Sequence, residues 1–395
     1  MRNQILVILR LVCMLLVVNI TSCRAQPETQ PVHTTALEYA DTALFRFKLK
    51  MDSLRCGKRK KVRIVHIGDS HIQPDKFTGE IRNELQTRYG NGGRGFIFPY
   101  AAAKTSGPRD YTTTTCANWN RTRNVDYNPK QPLGLAGMVI QSLDDSGSVC
   151  IRVGSDSLPN GFSRTTLIFS GQEGMEVCLN KDRRKQAGAS KVNRYDTLCC
   201  TNTLLSSDLR VAFRNGNLCL YGLYVENESP GIVYNSIGVA GARFTDYCRS
   251  NYFFAQLELL NADLVIISLG TNESYNSHYT DEAFLTSAGR FLEQLRKACP
   301  HADIILTCPS ENYYLRKKQV IENIHVAMVN TALRHLAFEN KLAIWDLYKA
   351  MGGKGSMKEW KKQGMVNNDY IHFLKSGYKL QGELFSGALM DFIGR

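Results

Sequence analysis

The chain has 395 residues, of which 43% are hydrophobic and 22% charged, a composition typical of a globular protein with one large or two moderate domains. The formal net charge is +13, but the basic residues are spread along the chain instead of forming a block with interleaved aromatic residues. Zinc-finger and helix-turn-helix spacings do not occur either, so we predict no nucleic-acid partner. The charge is typical of a solvated surface, and it also suits an anionic cell envelope.

The N-terminus has the pattern of an export signal. Arg2 supplies a positive charge, and the apolar run 5–20 is shorter than a membrane span. The segment Ile20–Cys23 then resembles a bacterial lipobox, whose cysteine is lipidated after cleavage. We predict a signal peptide over 1–23, a lipid anchor on Cys23 and a polar tether over 24–36. A plain signal peptide cut after Ala25 and an uncleaved anchor are the alternatives, and each places the folded part outside the cytoplasm.

Cysteines are concentrated in the middle of the chain. If the protein is exported, an oxidising compartment permits disulfides between them. Their connectivity cannot be derived from the sequence, and buried free thiols are the open alternative. No pair has the spacing of a metal site, so we predict no metal and no other cofactor. The cysteines concerned are Cys116, Cys150, Cys178, Cys199, Cys200 and Cys219.

The first part of the folded region reads as helix, strand, helix and loop. Apolar residues at helical spacing predict a helix over 37–54, and the β-branched run 62–66 predicts a buried strand. A second helical pattern covers 78–89, and the glycine-rich segment 91–95 ends it as a loop.

The pattern changes over residues 108–231. Short alternating or apolar runs occur at 149–153, 165–169, 175–179, 209–213 and 218–225, separated by turn residues. Short strands at this spacing are typical of an antiparallel sandwich. Because none of the motifs discussed below lies inside it, we predict an inserted β-sandwich domain that splits a second domain into 37–107 and 232–395.

Helices and strands alternate again after the insertion. Helices are predicted over 254–260, 283–297 and 320–338, and strands over 264–269, 304–307 and 342–345. Such alternation favours a parallel sheet covered by helices on both faces. Functional groups should then collect at the carboxyl ends of the strands.

Four short motifs lie at or beyond these strand ends. Gly68–Ser70 follows the first strand, Asn235–Gly241 follows the insertion, Gly270–Glu273 follows the strand 264–269, and Asp369 precedes His372 by three residues. Their order resembles that of the SGNH (GDSL-type) hydrolases. The resemblance implies an α/β fold, namely a flavodoxin-like parallel sheet flanked by helices, for the split domain. One departure is Glu273, where many members of the family have aspartate.

The resemblance also implies roles for individual residues. Ser70 is the expected nucleophile, His372 its base, and Asp369 the group that orients the imidazole. The backbone N–H groups of Ser70 and Gly241 and the side-chain amide of Asn272 form the expected oxyanion hole.

Each of these residues also has an ordinary structural interpretation. Asp369 could cap a helix that carries His372, for example. Two further histidines lie near the serine. His66 is predicted to belong to the core, and His71 either lines the pocket or caps the helix.

The substrate is suggested by the wider arrangement. Gly-Asp-Ser-His, an export signal and a β insertion are together similar to the exported O-acetyl-peptidoglycan esterases, whose inserted domain resembles a carbohydrate-binding module. We therefore expect a monomeric, lipid-anchored serine esterase that removes O-acetyl groups from a cell-envelope glycan, most of all peptidoglycan. The alternatives are an acetylesterase for another polysaccharide, xylan-type or capsular, and a lipid-anchored glycan-binding protein with an inactive hydrolase half.

The insertion should then form one wall of a groove beside Ser70. Its Trp119 and several tyrosines could stack on sugars, or they could belong to the sandwich core. If the rest of the fold survives without it, removal of the insertion should spare small esters and reduce cleavage of the polymer.

Overall fold

A computed structural model gives the structure of residues 37–39, 42–154, 161–180, 183–186, 195–317 and 319–394. The predicted signal peptide, Cys23 and the tether 24–36 lie outside the described residues. In chain order the strands are β1 (Lys61–Gly68), β2 (Gly95–Ile97), β3 (Tyr111–Thr115), β4 (Trp119–Arg123), β5 (Met138–Ser142), β6 (Gly147–Val153), β7 (Phe162–Gly171), β8 (Glu176–Leu179), β9 (Arg183–Gln186), β10 (Asp196–Ser206), β11 (Asp208–Arg214), β12 (Leu218–Glu226), β13 (Gly231–Gly238), β14 (Leu264–Ser268), β15 (Asp303–Cys308), β16 (Tyr313–Arg316), β17 (Gln319–Glu322) and β18 (Ala343–Asp346).

The helices separate these strands in the first and last parts of the chain. They are α1 (Phe45–Arg55), α2 (Lys76–Tyr89), α3 (Phe244–Cys248), α4 (Phe253–Leu257), α5 (Thr271–Ser274), α6 (Asp281–Ala298), α7 (His325–Glu339), α8 (Leu347–Ala350), α9 (Ser356–Lys362) and α10 (Lys375–Gly394), with a short 3₁₀ turn at Glu258–Leu260. No helix among the described residues combines the length and the apolar character needed to cross a membrane.

Helix α6 illustrates how local sequence sets these boundaries. The Thr280 side chain accepts a hydrogen bond from the Ala283 N–H and so caps the first turn. Acidic residues occupy that first turn and basic residues the last, which is the favourable arrangement for the helix dipole. The residues on its apolar face are buried against the sheet core, namely Phe284, Ala288, Phe291, Leu292 and Leu295.

Five strands form one parallel sheet in the order β13-β1-β14-β15-β18. The central strand β1 pairs on both sides, and its last residue, Gly68, lies opposite Gly238 of β13 and Ser268 of β14. The carboxyl ends of these three neighbouring strands therefore meet at the same edge. Together with the antiparallel sheets described next, this sheet confirms the predicted fold class.

The middle of the chain forms two antiparallel sheets. One has the order β10-β7-β12-β5-β4 with β2 paired to β12, and the other has the order β3-β6-β11-β8-β9. Trp119 of β4 packs edge-on against Phe213 of β11 at a centroid distance of 5.7 Å, so the two sheets share a core. The hypothesis that Trp119 stacks on a sugar is therefore wrong, because this side chain is buried between the sheets.

The antiparallel sheets are not a separate body. The described residues form one compact unit, and one hydrophobic cluster contains Val65 and Ile67 of the parallel sheet together with apolar residues of both antiparallel sheets. Strand β2 lies before the predicted boundary at residue 107, yet it pairs with β12. Because the two parts share a core and pair strands with each other, we do not expect the remaining fold to survive removal of residues 108–231.

Two predicted helices are shorter than expected. The segment 37–54 is helical only from Phe45, and Glu38 instead forms a β-bridge with Ile344. The segment 320–338 is helical only from His325, because Gln319–Glu322 pairs with Tyr313–Arg316 in a hairpin. In both cases the residues have a spacing that is compatible with a helix, but they pair with a β partner instead. The partner is distant in the chain for Glu38 and adjacent in the chain for Gln319–Glu322.

The cysteines of the described residues are all free thiols, so the disulfides that the compartment permits are not formed between them. Several of these thiols are buried, and burial raises the pKa of Cys219 to about 11. Such cysteines behave as small apolar core residues.

A buried network of ion pairs joins the segment after Ser70 to the start of the insertion. Asp75, directly before α2, accepts hydrogen bonds from Arg82 and from Arg94, and both arginines also contact Asp110, which precedes β3. The Arg94 side chain is 1% exposed, and its Nη2–Asp75 Oδ2 distance is 3.0 Å. Removing one member of such a network leaves a buried charge without its partner.

We expect Arg94→Ala to lower the free energy of unfolding by about 3–5 kcal/mol, because Asp75 and Asp110 would remain buried with reduced compensation. Denaturant unfolding measures this change. Arg214→Ala is the control, since Arg214 forms an ion pair with Glu176 in which its side chain is 58% exposed, and the expected change is below about 1 kcal/mol. Similar losses in the two variants would contradict a structural role for the buried network.

Candidate active site

The serine turn follows the central strand of the parallel sheet. The Asp69 carbonyl accepts hydrogen bonds from the N–H groups of Ile72 and Gln73, which closes the chain into a tight turn around Ser70. A Cβ atom at Gly68 would lie 2.3 Å from Ile72 Cγ1 and 2.8 Å from the Ser268 carbonyl oxygen, so only glycine fits. The turn thereby presents Ser70 at the carboxyl edge of the sheet, partly exposed.

The structure brings Ser70, His372 and Asp369 together, although 302 residues separate Ser70 from His372. Ser70 Oγ lies 2.8 Å from His372 Nε2, and His372 Nδ1 lies 2.8 Å from Asp369 Oδ2. This chain of hydrogen bonds can move a proton from the hydroxyl to the imidazole while a carboxylate faces the other ring nitrogen.

Asp369 and His372 lie in a loop before α10. Asp369 Oδ1 accepts hydrogen bonds from the N–H groups of Ile371 and His372, at 3.0 Å and 2.9 Å. A bridge between Val366 and Phe373 closes the base of the loop. The alternative that Asp369 caps a helix carrying His372 is therefore wrong, because the carboxylate instead organises the loop that holds the imidazole.

The electrostatics of the pair favour a charged imidazole. The hydrogen bond that His372 donates to Asp369 raises the pKa of His372 above its ordinary value, although burial opposes this. Burial alone would raise the pKa of Asp369, but the hydrogen bonds from His372 and Ile371 hold that pKa at about 2. Asp369 is thus a stable anion that stabilises an imidazolium next to Ser70.

The expected oxyanion-hole residues lie on the two neighbouring strand ends. Gly241 has φ +89° in the loop after β13, and Asn272 is the second residue of α5, after β14. Among the described residues, neither the Ser70 N–H nor the Gly241 N–H donates a hydrogen bond to another group. These two N–H groups can therefore donate hydrogen bonds to an oxyanion without breaking an existing hydrogen bond.

The Asn272 amide is held by the protein. Its Nδ2 donates to the Ala242 carbonyl at 3.0 Å and to Asp69 Oδ2 at 3.2 Å. An oxyanion that uses this amide would compete with the longer bond to Asp69. Burial raises the pKa of Asp69 to about 6, so that carboxylate is a less stable anion than Asp369.

The two other histidines have different environments. His71 stacks on His372 with ring centroids 5.1 Å apart and bonds through Nδ1 to the Tyr378 hydroxyl at 3.0 Å. Burial lowers the pKa of His71 to about 3, so it stays neutral and backs the imidazole of His372 instead of capping a helix. His66 is buried between the Tyr234 and Ser268 hydroxyls and belongs to the core, as predicted.

Glu273 occupies the position where the family pattern has aspartate. Its Oε1 accepts a hydrogen bond of 2.9 Å from the Phe244 N–H, at the start of α3, and its Oε2 has no partner among the described residues. Burial raises the pKa of Glu273 to about 7. The longer side chain thus reaches from α5 to α3.

A loop of the predicted insertion lies against residues 239–243, between β13 and α3, which we call the Gly241 loop. A Cβ atom placed on Gly241 would be 3.9 Å from Val125 Cγ1. The carbonyl oxygens of Asn124 and Asp126 accept hydrogen bonds from Arg249, at 2.7 Å for Asn124 with Nε and 3.0 Å for Asp126 with Nη2. The next residue, Tyr127, is fully exposed.

An aromatic hairpin borders the other side of the site. The ring centroids of Tyr275, directly after α5, and Tyr314, in β16, are 4.7 Å apart. Tyr313 packs against Tyr370 at 6.0 Å, one residue beyond Asp369. The sequence analysis missed this hairpin, because the β17 residues were assigned to a helix.

Comparison with known proteins agrees with this geometry. The family model of the GDSL-like Lipase/Acylhydrolase family matches residues 218–380, a range that includes Gly241, Asn272, Asp369 and His372 but not Ser70. No curated protein sequence matches the chain.

A solved structure shows the same fold. A structure described as "Peptidoglycan O-acetylesterase in action, 5 min" superposes with a TM-score of 0.76 and 24% identity, covering 88% of this chain and 96% of that one. A lipase/acylhydrolase from Enterococcus faecalis matches with a TM-score of 0.32 and 19% identity over 42% of this chain and 77% of its own.

The fold, the strand-end motifs and the family match over residues 218–380 make the chain similar to the SGNH (GDSL-type) hydrolases, a superfamily of carboxylic ester hydrolases. The family match begins at β12 and so covers the second half of the split fold. The serine turn is joined to that half by the pairing of β1 with β13 and β14.

We expect Asp369→Asn to lower kcat on a small acetyl ester by about two to four orders of magnitude, because the imidazole loses the partner that orients it. The acid limb of the kcat/KM profile should also move to lower pH. The carboxylate raises the pKa of His372, so its loss lowers the pH at which the base becomes protonated. Asp391→Asn, on an exposed residue of α10, is the control. An unchanged acid limb would contradict this role of Asp369.

We expect Glu273→Gln to stabilise the fold at pH 8 but not near pH 4.5. The pKa of about 7 lies above the ordinary 4.5, so the folded state keeps a proton that the unfolded chain has lost. Stability therefore falls as pH rises from about 4.5 to 7, and the neutral amide avoids this loss, which is on the order of 1–3 kcal/mol. Thermal unfolding at the two pH values measures the difference. An equal effect at both would contradict an ionisable origin.

Proposed function

We propose that the protein is a serine esterase that removes O-acetyl groups from a cell-envelope glycan, and that O-acetylated peptidoglycan is its substrate. The observation that carries the proposal is the Ser70–His372–Asp369 chain of hydrogen bonds, with 2.8 Å at each link. The pair of free N–H groups on Ser70 and Gly241 adds the means to bind a developing negative charge.

In the first half of the reaction, His372 Nε2 takes the hydroxyl proton of Ser70 while Oγ bonds to the acetyl carbonyl carbon. The carbonyl oxygen becomes an oxyanion, and Asp369 stabilises the imidazolium on its other side. The imidazolium then gives its proton to the sugar oxygen. The C–O bond to the sugar breaks, and an acetyl group stays on Ser70.

In the second half, water replaces the sugar. His372 takes a proton from the water as its oxygen attacks the acetyl carbonyl, and a second oxyanion forms at the same position. The imidazolium returns the proton to Ser70 Oγ, and acetic acid leaves, as acetate after it ionises. The oxyanion is bound by the N–H groups of Ser70 and Gly241, with the Asn272 amide as the third donor. Each donor is typically worth about 3–4 kcal/mol in the transition state.

The proposed substrate draws on the surroundings of the site. The loop 124–127 lies beside Gly241 and ends in the exposed Tyr127, and the aromatic hairpin lies beside Asp369. An exposed tyrosine beside Gly241 and partly exposed tyrosines beside Asp369 suit a sugar chain, which packs its flat faces on aromatic rings. The structurally similar protein described as a peptidoglycan O-acetylesterase supports the choice of polymer.

The proposal extends to location and organisation. We propose that the chain is exported and anchored through a lipid on Cys23, with residues 24–36 as a tether. We further propose that 108–231 act as a glycan-binding element built onto the hydrolase fold, and that the protein works as a monomer. Mass spectrometry of the N-terminal peptide from a native host tests the anchor directly.

The alternatives differ in substrate or in activity. An acetylesterase for another polysaccharide would use the same residues on a different polymer. A glycan-binding protein with an inactive hydrolase half is disfavoured by the intact hydrogen-bond chain from Ser70 to Asp369.

Acetate release separates these possibilities. Wild-type protein should release acetate from O-acetylated peptidoglycan faster than from acetylated xylan, and should also cleave a chromogenic acetyl ester. Ser70→Ala should reduce every rate by roughly 10³-fold or more, because the nucleophile is lost. Ser229→Ala, at an exposed serine, is the control and should behave as wild type. A preference for xylan would overturn the substrate, and Ser70-independent rates would overturn the enzyme assignment.

A further inference from the structure

Gln73 lies three residues after Ser70, and its side chain is buried, with 3% of the residue exposed. Its Oε1 accepts a hydrogen bond of 2.8 Å from the Ala240 N–H. Ala240 directly precedes Gly241, whose N–H has no acceptor among the described residues. One end of the Gln73 side chain therefore holds the peptide next to an oxyanion donor.

The other end of the same side chain holds the segment that leads into the antiparallel sheets. Gln73 Nε2 donates to the Ser106 carbonyl at 2.6 Å and to Thr105 Oγ1 at 3.1 Å, and it lies 3.3 Å from Ser106 Oγ. This segment precedes β3, the first strand of the predicted insertion. A single amide thus links the serine turn, the Gly241 loop and the entry to the insertion.

The backbone of Gln73 is fixed as firmly as its side chain. Its N–H donates to the Asp69 carbonyl at 3.0 Å, inside the serine turn. A Cβ atom on Gly238 would lie 2.3 Å from Gln73 N, so the end of β13 packs directly on this residue. Gln73 is therefore a short and rigid connection between the nucleophile and the loop that carries Gly241.

We propose that Gln73 is a positioning residue for the oxyanion hole, which sets the Gly241 N–H relative to Ser70 and does so by bracing the Gly241 loop against residues 105–106. The proposal rests on the proposed esterase function. The physical reason is that an oxyanion donor contributes fully only when its direction is fixed before the reaction. Gly241 has φ +89°, in a partly exposed loop, so it needs a partner outside its own segment to fix that direction.

The role has a consequence for the insertion. Residues 105–106, just before the insertion, are joined to the Gly241 loop through Gln73, and Val125 of the insertion lies beside Gly241 itself. Changes at residues 105–106 or at Val125 should therefore alter hydrolysis of small acetyl esters as well as cleavage of a polymer. If the insertion only bound glycan, such changes would alter cleavage of the polymer and leave hydrolysis of small esters unchanged.

The test compares two buried glutamines. Gln73→Met removes both ends of the brace at nearly constant volume. Gln256→Met is the matched control, because Gln256 is fully buried and its Oε1 accepts a hydrogen bond of 2.7 Å from the Leu135 N–H, in the antiparallel part. Both variants lose a buried bond to a backbone N–H, and Gln73→Met also loses the bonds that Nε2 donates, so thermal unfolding should show a loss of stability in both and a larger one in Gln73→Met.

Kinetics on a chromogenic acetyl ester then separate the two variants. Gln73→Met should lower kcat by roughly 10- to 100-fold with little change in KM, as expected for a weakened transition-state contact, whereas Gln256→Met should keep the wild-type kcat. Methylboronic acid, which forms a tetrahedral adduct with an active serine, should bind Gln73→Met more weakly by a similar factor. Thr105→Val, which removes only one acceptor of the Gln73 amide, should give a smaller loss in the same direction.

Three outcomes would count against the proposal. Equal kcat values for Gln73→Met and Gln256→Met would overturn it while leaving the esterase function intact. A change confined to KM, with unchanged affinity for methylboronic acid, would also overturn it. If Gln73→Met does not fold, wild-type kinetics in the double variant Thr105→Val, Ser106→Ala would overturn it. Absence of acetyl-ester hydrolysis by the wild-type protein would instead overturn the proposed function.

Discussion

The in-register pairing of β13, β1 and β14 is the constraint on which the site depends. Gly68 lies opposite Gly238 and Ser268, so the loops that carry Ser70, Gly241 and Asn272 begin at one level. Two close approaches keep this level: Gly68 packs on Ile72 and Ser268, and Gly238 packs on Gln73. A side chain at either glycine would push the serine turn away from its neighbours. Backbone hydrogen bonds of a parallel sheet thus fix the relative heights of Ser70, Gly241 and Asn272.

The antiparallel sheets take part in this arrangement. They share an apolar cluster with Val65 and Ile67 of the central strand, and the buried Arg94 ties Asp110 at their start to Asp75 after the serine turn. A module attached only through its two chain ends would have neither the common core nor the shared ion pairs. The structure therefore favours an insertion that shapes the reaction centre, in addition to any part it has in holding a polymer.

Three carboxyl groups near the site have separate electrostatic environments. Asp369 receives several hydrogen bonds and has a pKa of about 2, whereas burial raises the pKa of Asp69 to about 6 and that of Glu273 to about 7. The first is suited to stabilise an imidazolium. The other two cost stability when they ionise, and both contact the segments that carry Asn272 and Gly241. A stabilising change at Glu273 is thus compatible with an intact triad.

The sequence by itself determined the fold class and the set of candidate residues, because both are encoded locally. Strand ends are read from β-branched runs followed by glycine, which places Ser70, Gly241 and Asn272, and the pair Asp369 and His372 is read from its own spacing. Tertiary structure decided the rest. Strand pairing turned 319–322 from predicted helix into hairpin, a second sheet buried Trp119, and Gln73 gained its partners at Ala240 and Ser106. Such contacts join residues that are distant in the chain or depend on a partner strand, and no local periodicity records them.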